Sequence, residues 1–431
     1  MQSPYVFENG LRHVLPYFLQ SKIHPKRRWV GKTLFEVFHS EFKEAPSIIQ
    51  HEIENKLLYI QTNHGRKKNT QEILQGWDVL KNRPIDSFDV ISINKHKHEP
   101  SVPIQAKVPL SNFPSQSKTT IRIIYEDSDL LVILKPSGIP THPTGNYHYN
   151  TITEILKFDL QMNNIWPCHR LDKVTSGVLI LAKNKKACNK YQTCLLDDKL
   201  ISRKSYYARV SGKFPEEEVM INCPIFSINS CGGFLVPSNA NQIPINSTTV
   251  FKLIQYDAKT NQSVVVCKPI TGRMHQIRIH LRNAGFPIVD DHKYNPTNEI
   301  LPNFSIMKAN NDLEKLLYQR LFDKYPNFKK FLKVDLSLAQ TLDTVDIIQI
   351  TKWDQDQIIK SQVEKIKSKR LTYFETLRKN FNTTCDTCHR DLLDSNKDLT
   401  DQGIMLHSFE YECSGGIQFK FTDTAPDWCN E

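Results

Sequence analysis

A chain of 431 residues is too long for one compact core and calls for about two domains plus extensions. With 39% hydrophobic residues, 24% charged residues and only 15 glycines, the composition is that of a folded globular protein and excludes disordered and collagen-like classes. Lys and Arg number 56 against 46 Asp and Glu, and the formal charge of +10 points to a phosphate-bearing partner.

The charge is uneven. Residues 1–110 carry 16 basic against 11 acidic groups, residues 111–300 carry 22 against 15, and residues 301–431 carry 18 against 20. All of the positive excess therefore lies in the first 300 residues, where a nucleic-acid site is expected. No run approaches the roughly 18 apolar residues of a membrane span, so no membrane partner is expected. Met1–Gly10 carries Glu8 and lacks both an apolar core and an Arg/Ser-rich pattern, so no targeting segment is expected there. A cytoplasmic location follows by default, with mitochondrial or nuclear service left open.

In chain order, the first informative stretch is the basic-aromatic run Pro25-Lys26-Arg27-Arg28-Trp29-Val30-Gly31-Lys32. After it, Leu34, Val37, Phe38 and Phe42 fall at helical spacing, and Thr33 with Glu36 matches a capping box, which predicts a short amphipathic helix. A further helix is predicted over Pro46–Asn55, strands near Leu57–Ile60 and Asp89–Ile93, and a polar basic loop over 63–71. His96 and His98 could ligate a metal, but Pro100, Pro103 and Pro109 make a solvated linker the expected reading. From Ile121 the texture changes to strands. Ile121–Tyr125 and Leu130–Leu134 read as a hairpin, Val178–Ala182 as a buried strand, and Asn184 caps a helix carrying Ala187, Tyr191, Cys194 and Leu195 on one face. Strands recur at Tyr206–Val210, Val250–Tyr256 and Ser263–Lys268. Thr271–Ala284 reads as a helix with Met274, Ile277, Leu281 and Ala284 on one face and His275, Arg278 and Arg282 in a polar stripe. Beyond Thr297 the text turns helical over Leu313–Phe322 and Gln357–Phe381, and two short strands are predicted after Gly403.

Ten cysteines in this length are too sparse and irregular for a disulfide framework, and incidental thiols are the expected reading. Cys385 and Cys388 form the one recognisable pair, but Cys413 and Cys429 are too distant to complete a tight zinc knuckle, and no metal is expected.

Chemistry concentrates in Pro167-Cys168-His169-Arg170-Leu171-Asp172-Lys173-Val174-Thr175-Ser176-Gly177, where an Arg and an Asp two residues apart sit in a turn just ahead of a buried strand. A carboxylate anchored there beside cations stays ionised and still, which suits a nucleophile or base. Standing alone, this pair would be read as an ordinary structural ion pair in a loop.

This segment resembles the signature of the RluA-type pseudouridine synthases. Lys135-Pro136-Ser137-Gly138 resembles that family's first motif, Lys204-Ser205-Tyr206-Tyr207-Ala208-Arg209-Val210 its second, and Thr271-Gly272-Arg273-Met274-His275-Gln276-Ile277-Arg278 its third, ending in Pro287-Ile288, Asp291 and Tyr294. Phe7–Arg12, Arg28–Leu34, His96–Pro100 and His142–Gly145 resemble the eukaryotic branch that acts on the tRNA anticodon arm. Two departures stand out: Asn241–Thr248 lacks the usual Gly-Lys-Pro-Ala text, and the N-terminal module is broken up between Gln61 and Val79.

The resemblance implies an α+β fold with a mixed, largely antiparallel central sheet, an S4-like RNA-binding module over 1–110, a catalytic domain over 111–300, a helical insertion over 301–400 and strands over 401–431 that complete the catalytic domain. It implies isomerisation of a uridine at position 31 or 32 of tRNA without cofactor, by a monomer. Asp172 would be the catalytic carboxylate, attacking the sugar or abstracting a proton from it; Arg278 would pair with it, and Tyr206 would stack on the flipped base. Arg170 would fill the vacated place in the RNA stack, Ile277 would pack on the base, and Lys26, Arg27 and Arg28 would bind RNA. His169, His275 and Gln276 read as structural. An rRNA or mRNA substrate and a non-catalytic RNA-binding role are the alternatives. A zinc deaminase is disfavoured, because Thr384 rather than Pro precedes Cys385 and His39-Ser40-Glu41 lies far upstream.

Overall fold

A computed structural model describes nearly all of residues 4–62, 72–104, 121–196, 202–223, 247–324, 356–380 and 403–430, together with Ile225, Cys385 and Thr387. The predicted loop at 63–71, most of the Asn241–Thr248 departure, the centre of the 301–400 region and Cys388 lie outside the described residues. The chain divides into two compact units. The first comprises residues 1–6, 13–100 and 380–397, and the second residues 7–12, 101–379 and 398–431.

Short strands at Tyr5–Glu8 (β1) and Leu11–Val14 (β2) open the chain. The first unit is built on Tyr17–Ile23 (β3), Leu58–Gln61 (β4), Ile73–Leu74 (β5) and Val90–Lys97 (β6), in the order β3-β6-β4-β5. Helices Leu34–Ser40 (α1), Pro46–Glu54 (α2) and Trp77–Leu80 (α3) share its core: Trp29, Leu34, Phe38, Ile49, Ile53, Ile60 and Leu80 are all essentially inaccessible. The capping box is formed, with the Glu36 N–H donating to Thr33 Oγ1 at 3.2 Å and the Thr33 N–H to Glu36 Oε2 at 2.7 Å. One expectation fails here. His96 belongs to no solvated linker; it lies in β6 opposite Phe18 of β3, and its ring packs on that of Phe18 at 4.8 Å. The local text shows three prolines, but the strand is set by a partner some eighty residues upstream, which no local signal reveals.

In the second unit, Val102–Pro103 (β7) pairs with Leu11 and Arg12. The main sheet contains Ile123–Glu126 (β8), Leu130–Lys135 (β9), Trp166–Pro167 (β10), Ser176–Ala182 (β11), Ser202–Ser211 (β12), Val219–Asn222 (β13), Thr248–Asp257 (β14), Gln262–Pro269 (β15), Leu406–Cys413 (β16) and Phe419–Thr422 (β17). Its order is β13-β14-β15-β12-β16-β11-β9-β8, with β10 added on β11 and β17 on β16. Among the described residues its pairings are antiparallel except for the short β11/β16 contact. A mixed, mostly antiparallel sheet with Ile152–Leu160 (α4), Lys185–Leu196 (α5) and Gln276–Asn283 (α6) makes the unit α+β. The strand β16, from near the C-terminus, fills the gap between β11 and β12. Gly177 is required at that seam: a Cβ there would lie 2.0 Å from the Ser408 carbonyl oxygen, and its φ is +115°.

Two further expectations are corrected. The helix predicted over Thr271–Ala284 begins only at Gln276, because Thr271–His275 form a turn closed by the Gln276 side chain. Gln276 Oε1 accepts from Thr271 Oγ1 at 2.8 Å and from the Arg273 N–H at 3.0 Å. Cys194 and Cys413, expected to be thiols, form a disulfide that ties α5 to β16 across 219 residues. Phe304–Lys324 (α7) and Gln357–Asn380 (α8) pack together through Leu313, Leu317, Ile359, Val363 and Ile366. No helix among the described residues is long and apolar enough to cross a membrane.

Candidate active site

The loop between β10 and β11 carries Asp172, and the first sequence motif clamps it. Lys135, buried at the end of β9, donates from Nζ to the carbonyl oxygens of Thr175 at 2.8 Å, Lys173 at 3.0 Å and Pro136 at 2.7 Å. Ser137 Oγ donates to the Val174 carbonyl at 2.6 Å, Thr141 Oγ1 to the Leu171 carbonyl at 3.0 Å, and the Gly138 N–H to the Lys173 carbonyl at 2.8 Å. The backbone on both sides of Asp172, at Leu171 and at Lys173, Val174 and Thr175, is thus held by β9 and the segment after it, which fixes the carboxylate without touching it. Burial pulls the Lys135 ammonium down to about 7, and the nearby Asp172 carboxylate opposes that shift.

Facing this loop, α6 delivers Arg278. Its guanidinium makes a two-pronged bond to Asp291, Nε to Oδ2 at 2.7 Å and Nη2 to Oδ1 at 2.8 Å, and its remaining Nη1 reaches Asp172 Oδ2 at 3.4 Å. Asp291 is wholly inaccessible and Asp172 about one-fifth exposed, so one arginine is locked by a buried carboxylate and presented to a reachable one. Burial works against the Arg278 charge, but Asp291, by its charge and its hydrogen bonds, and then Asp172 outweigh it, so the guanidinium titrates above its ordinary value. Burial likewise opposes the Asp291 charge, and Arg278 overcomes it, holding that carboxyl below its ordinary value.

His275 completes the group. Its φ of +57° turns the imidazole back over the site, with Nε2 at 3.7 Å from Asp172 Oδ2 and Nδ1 at 2.9 Å from the Tyr294 hydroxyl. Burial, with Arg278 alongside, lowers it to about 4, so the ring is neutral at physiological pH. A neutral ring that accepts the Tyr294 O–H at Nδ1 carries its proton on Nε2, toward Asp172.

Across the cleft stands Tyr206 of β12. The β12/β16 register slips between Ser205 and Tyr206, a bulge that re-aims the side chain, and its hydroxyl meets that of Tyr411 at 2.9 Å. Burial raises the Tyr206 phenol, so it remains protonated. His169 stacks on Tyr411 at 4.2 Å, and its Nε2 accepts the Ile180 N–H at 3.1 Å; burial drives it down to about 3, a neutral structural ring. The cleft enclosed by these groups has a volume of about 600 Å³ and is also lined by Arg170, Lys204, Arg273 and Ile277. A reachable carboxylate, a neutral phenol and an apolar wall under a cationic rim can accept one flipped base with its phosphates outside.

The RNA pseudouridylate synthase family profile matches residues 129–283. The tRNA pseudouridine(31) synthase of Saccharomyces cerevisiae is 33% identical over 450 aligned positions, covering 98% of this chain and 96% of that protein. This chain belongs to the RluA-type pseudouridine synthases. As a member of that family it is an RNA isomerase. It is also similar to the mitochondrial tRNA pseudouridine(32) synthase of the same yeast, at 37% identity over 67% of this chain, although it spans only 56% of that relative. The ribosomal large subunit pseudouridine synthase C of Vibrio cholerae is 29% identical over 61% of the chain and 77% of its own length.

Of the sequence-predicted residues in this synthase, Asp172, Tyr206, Arg278, Arg170 and Ile277 all line one cleft. Lys26, Arg27 and Arg28 lie in the first unit, on and just before the single-turn helix Arg27–Trp29. Arg28 is engaged by Glu41, Nε to Oε1 and Nη2 to Oε2 both at 2.7 Å, while Lys26 Nζ stands 5.1 Å over the Trp29 ring. Sequence reasoning treats His275 as structural and assigns no role to Lys135, Lys204 or Arg273. All four stand inside the quoted motifs, but nothing in a linear motif separates a residue that faces the cleft from one that braces it.

Proposed function

We propose that this chain converts a uridine of the tRNA anticodon stem-loop to pseudouridine, with Asp172 as the catalytic carboxylate, at position 31 or 32. The observation that carries the chemistry is the meeting of Asp172 with Arg278 at 3.4 Å inside a cleft that also holds Tyr206. Position 31 is favoured, because the relative named for it matches this chain end to end whereas the relative named for position 32 is matched over about half its length.

In this reading the target uridine leaves the stack at a cost of a few kcal/mol, offset by phosphate contacts along the cationic rim and by packing in the cleft. Arg170, exposed at the mouth, takes the place of the departed base. Within the cleft the base lies against Tyr206 and Ile277, and Asp172, oriented by Arg278, attacks the sugar or abstracts a proton from it. The detached base turns and rejoins through carbon. Opening and closing the bond in this way requires one anchored carboxylate, a group to exchange a proton, and exclusion of competing water; Asp172, Tyr206 and the apolar wall suit these parts. In the first unit, proposed as an S4-like RNA-binding module, Lys26 and Arg27 would contact phosphates.

The test is position mapping. Unmodified tRNA transcripts incubated with the purified protein are reacted with carbodiimide and read by primer extension at positions 31 and 32. A stop one nucleotide 3′ of position 31 supports the assignment, a stop one nucleotide 3′ of position 32 moves it by one nucleotide, and no stop on any tRNA with robust activity on rRNA or mRNA fragments contradicts it.

A further inference from the structure

His96, in β6, and His98, one residue beyond its end, are two apart and so project from the same side of the extended chain. His98 Nε2 lies 3.1 Å from His96 Nδ1, and the two rings meet edge to face at 4.6 Å. From 289 residues further along the chain, but within the same compact unit, Cys385 brings its Sγ to 3.6 Å from that same Nδ1. One ligand atom from each of the three residues falls within 4.8 Å of the others. Cys385 is buried, and Phe18 packs against the His96 ring at 4.8 Å, so the cluster has an apolar wall.

These separations have a chemical meaning. Around a tetrahedral zinc ion with Zn–N of about 2.0–2.1 Å and Zn–S of about 2.3 Å, two nitrogens stand about 3.3 Å apart and a nitrogen and a sulfur about 3.6 Å apart. The His–His and His–Cys distances sit near these values before any ion is placed.

We propose that His96, His98 and Cys385 bind a structural zinc ion. Two imidazoles and a thiolate form a borderline-soft donor set that selects zinc over magnesium or calcium, whose ligands are oxygens. The ion's ligands belong to the first unit, whereas Asp172 belongs to the second. The ion's role is to fasten Cys385 to β6, closing a loop of almost three hundred residues whose ends would otherwise be joined at a high entropic cost. That role also accounts for the paired histidines, which the isomerase chemistry leaves unused.

The full chain, purified after expression in zinc-supplemented medium, is expected to carry about one zinc per molecule by elemental analysis. Reconstitution with cobalt(II) should give a near-ultraviolet sulfur-to-cobalt charge-transfer band. His98→Gln and Cys385→Ser should each lower metal content at least about tenfold, and Cys385→Ser should abolish the band, while Cys429→Ser, at a buried cysteine outside the cluster, should preserve both. Wild-type protein that takes up no zinc from excess zinc and gives no cobalt–sulfur band would overturn the proposal and leave only a hydrogen-bonded His–His–Cys cluster. The proposal also fails if His98→Gln and Cys385→Ser, folded by circular dichroism, retain wild-type metal content.

Discussion

At the scale of single residues, the site is organised around holding one carboxylate still. Arg278 does this through its fork: two nitrogens are fixed by buried Asp291 and the third faces Asp172. Arg278→Lys keeps the charge but cannot span both carboxylates, and it strands Asp291 in a wholly buried position. Removing one partner of such a pair typically costs about 3–5 kcal/mol; we expect a folded but strongly destabilised variant, lower in urea midpoint and almost without activity, and an unchanged midpoint would contradict the described lock. Lys135 acts one step further out. Its three carbonyl acceptors belong to the Asp172 loop and its anchor, so Lys135→Met leaves buried carbonyls unpaired at about 1–3 kcal/mol each. Hydrogen exchange should then quicken over Leu171–Thr175, with kcat falling while KM changes little. Exchange confined to wild-type rates would show that the clamp is redundant.

At the scale of elements, α6 is the junction of site and scaffold. One face presents Arg278 and Ile277 to the cleft. Arg282, one turn on, pairs with Glu314 of α7 at 2.8 Å, both side chains buried. The helical text after Thr297 thus supplies a carboxylate that neutralises a buried arginine of the helix carrying Arg278. Glu314→Ala is expected to lower stability by about 3 kcal/mol, read as a lower urea midpoint with unchanged cleft chemistry per folded molecule; a neutral effect would make α7 an appendage. The legibility of the elements divides along the same lines. Short apolar runs, β-rich text and capping alone identify β9, β11, β14, β15, α1 and α5, because each is specified by its own text. The start of α6 is not legible in this way: hydrophobic spacing continues back to Thr271, while the turn is imposed by the Gln276 side chain and the left-handed His275. Likewise the strand position of His96 depends on β3, and the Cys194–Cys413 disulfide on a sheet order that seats β16 between β11 and β12, strands far upstream in the chain. Motif resemblance brings out Asp172, Tyr206 and Arg278, but the supporting contacts of Lys135 and Asp291 exist only once loops from four parts of the chain converge.

At the scale of the whole molecule, the buried histidines set a pH dependence. Burial lowers His280 to about 4 and His169 to about 3, and burial with Arg278 lowers His275 to about 4. In the unfolded chain each titrates near its ordinary value of about 6.5. Between about 6.5 and these folded values the unfolded state binds more protons, so stability rises with pH across that window and is lost as pH falls through it, on the order of 1 kcal/mol per pH unit for each histidine. Lys135 acts in the same sense higher up: folded near 7 and unfolded near its ordinary value of about 10.4, it adds stability as pH rises between them. Urea midpoints should therefore fall from pH 7 to pH 5, and equal midpoints would contradict burial of neutral rings. The charge distribution yields a second whole-molecule expectation. If RNA lies across the basic first 300 residues, Lys26→Ala with Arg27→Ala should weaken tRNA binding and reduce the slope of log affinity against log salt by about two. Unaltered affinity across a salt series would remove that segment from the binding surface.

The central claim is that Asp172 performs the isomerisation, and it is tested most directly by tritium release from tRNA transcribed with uridine tritiated at carbon 5, since rejoining the base through that carbon expels the label. The wild-type chain is expected to release label from its target site, while Asp172→Ala, folded and binding tRNA with wild-type affinity, should release it at least about ten-thousandfold more slowly. Release by Asp172→Ala at the wild-type rate would contradict the account.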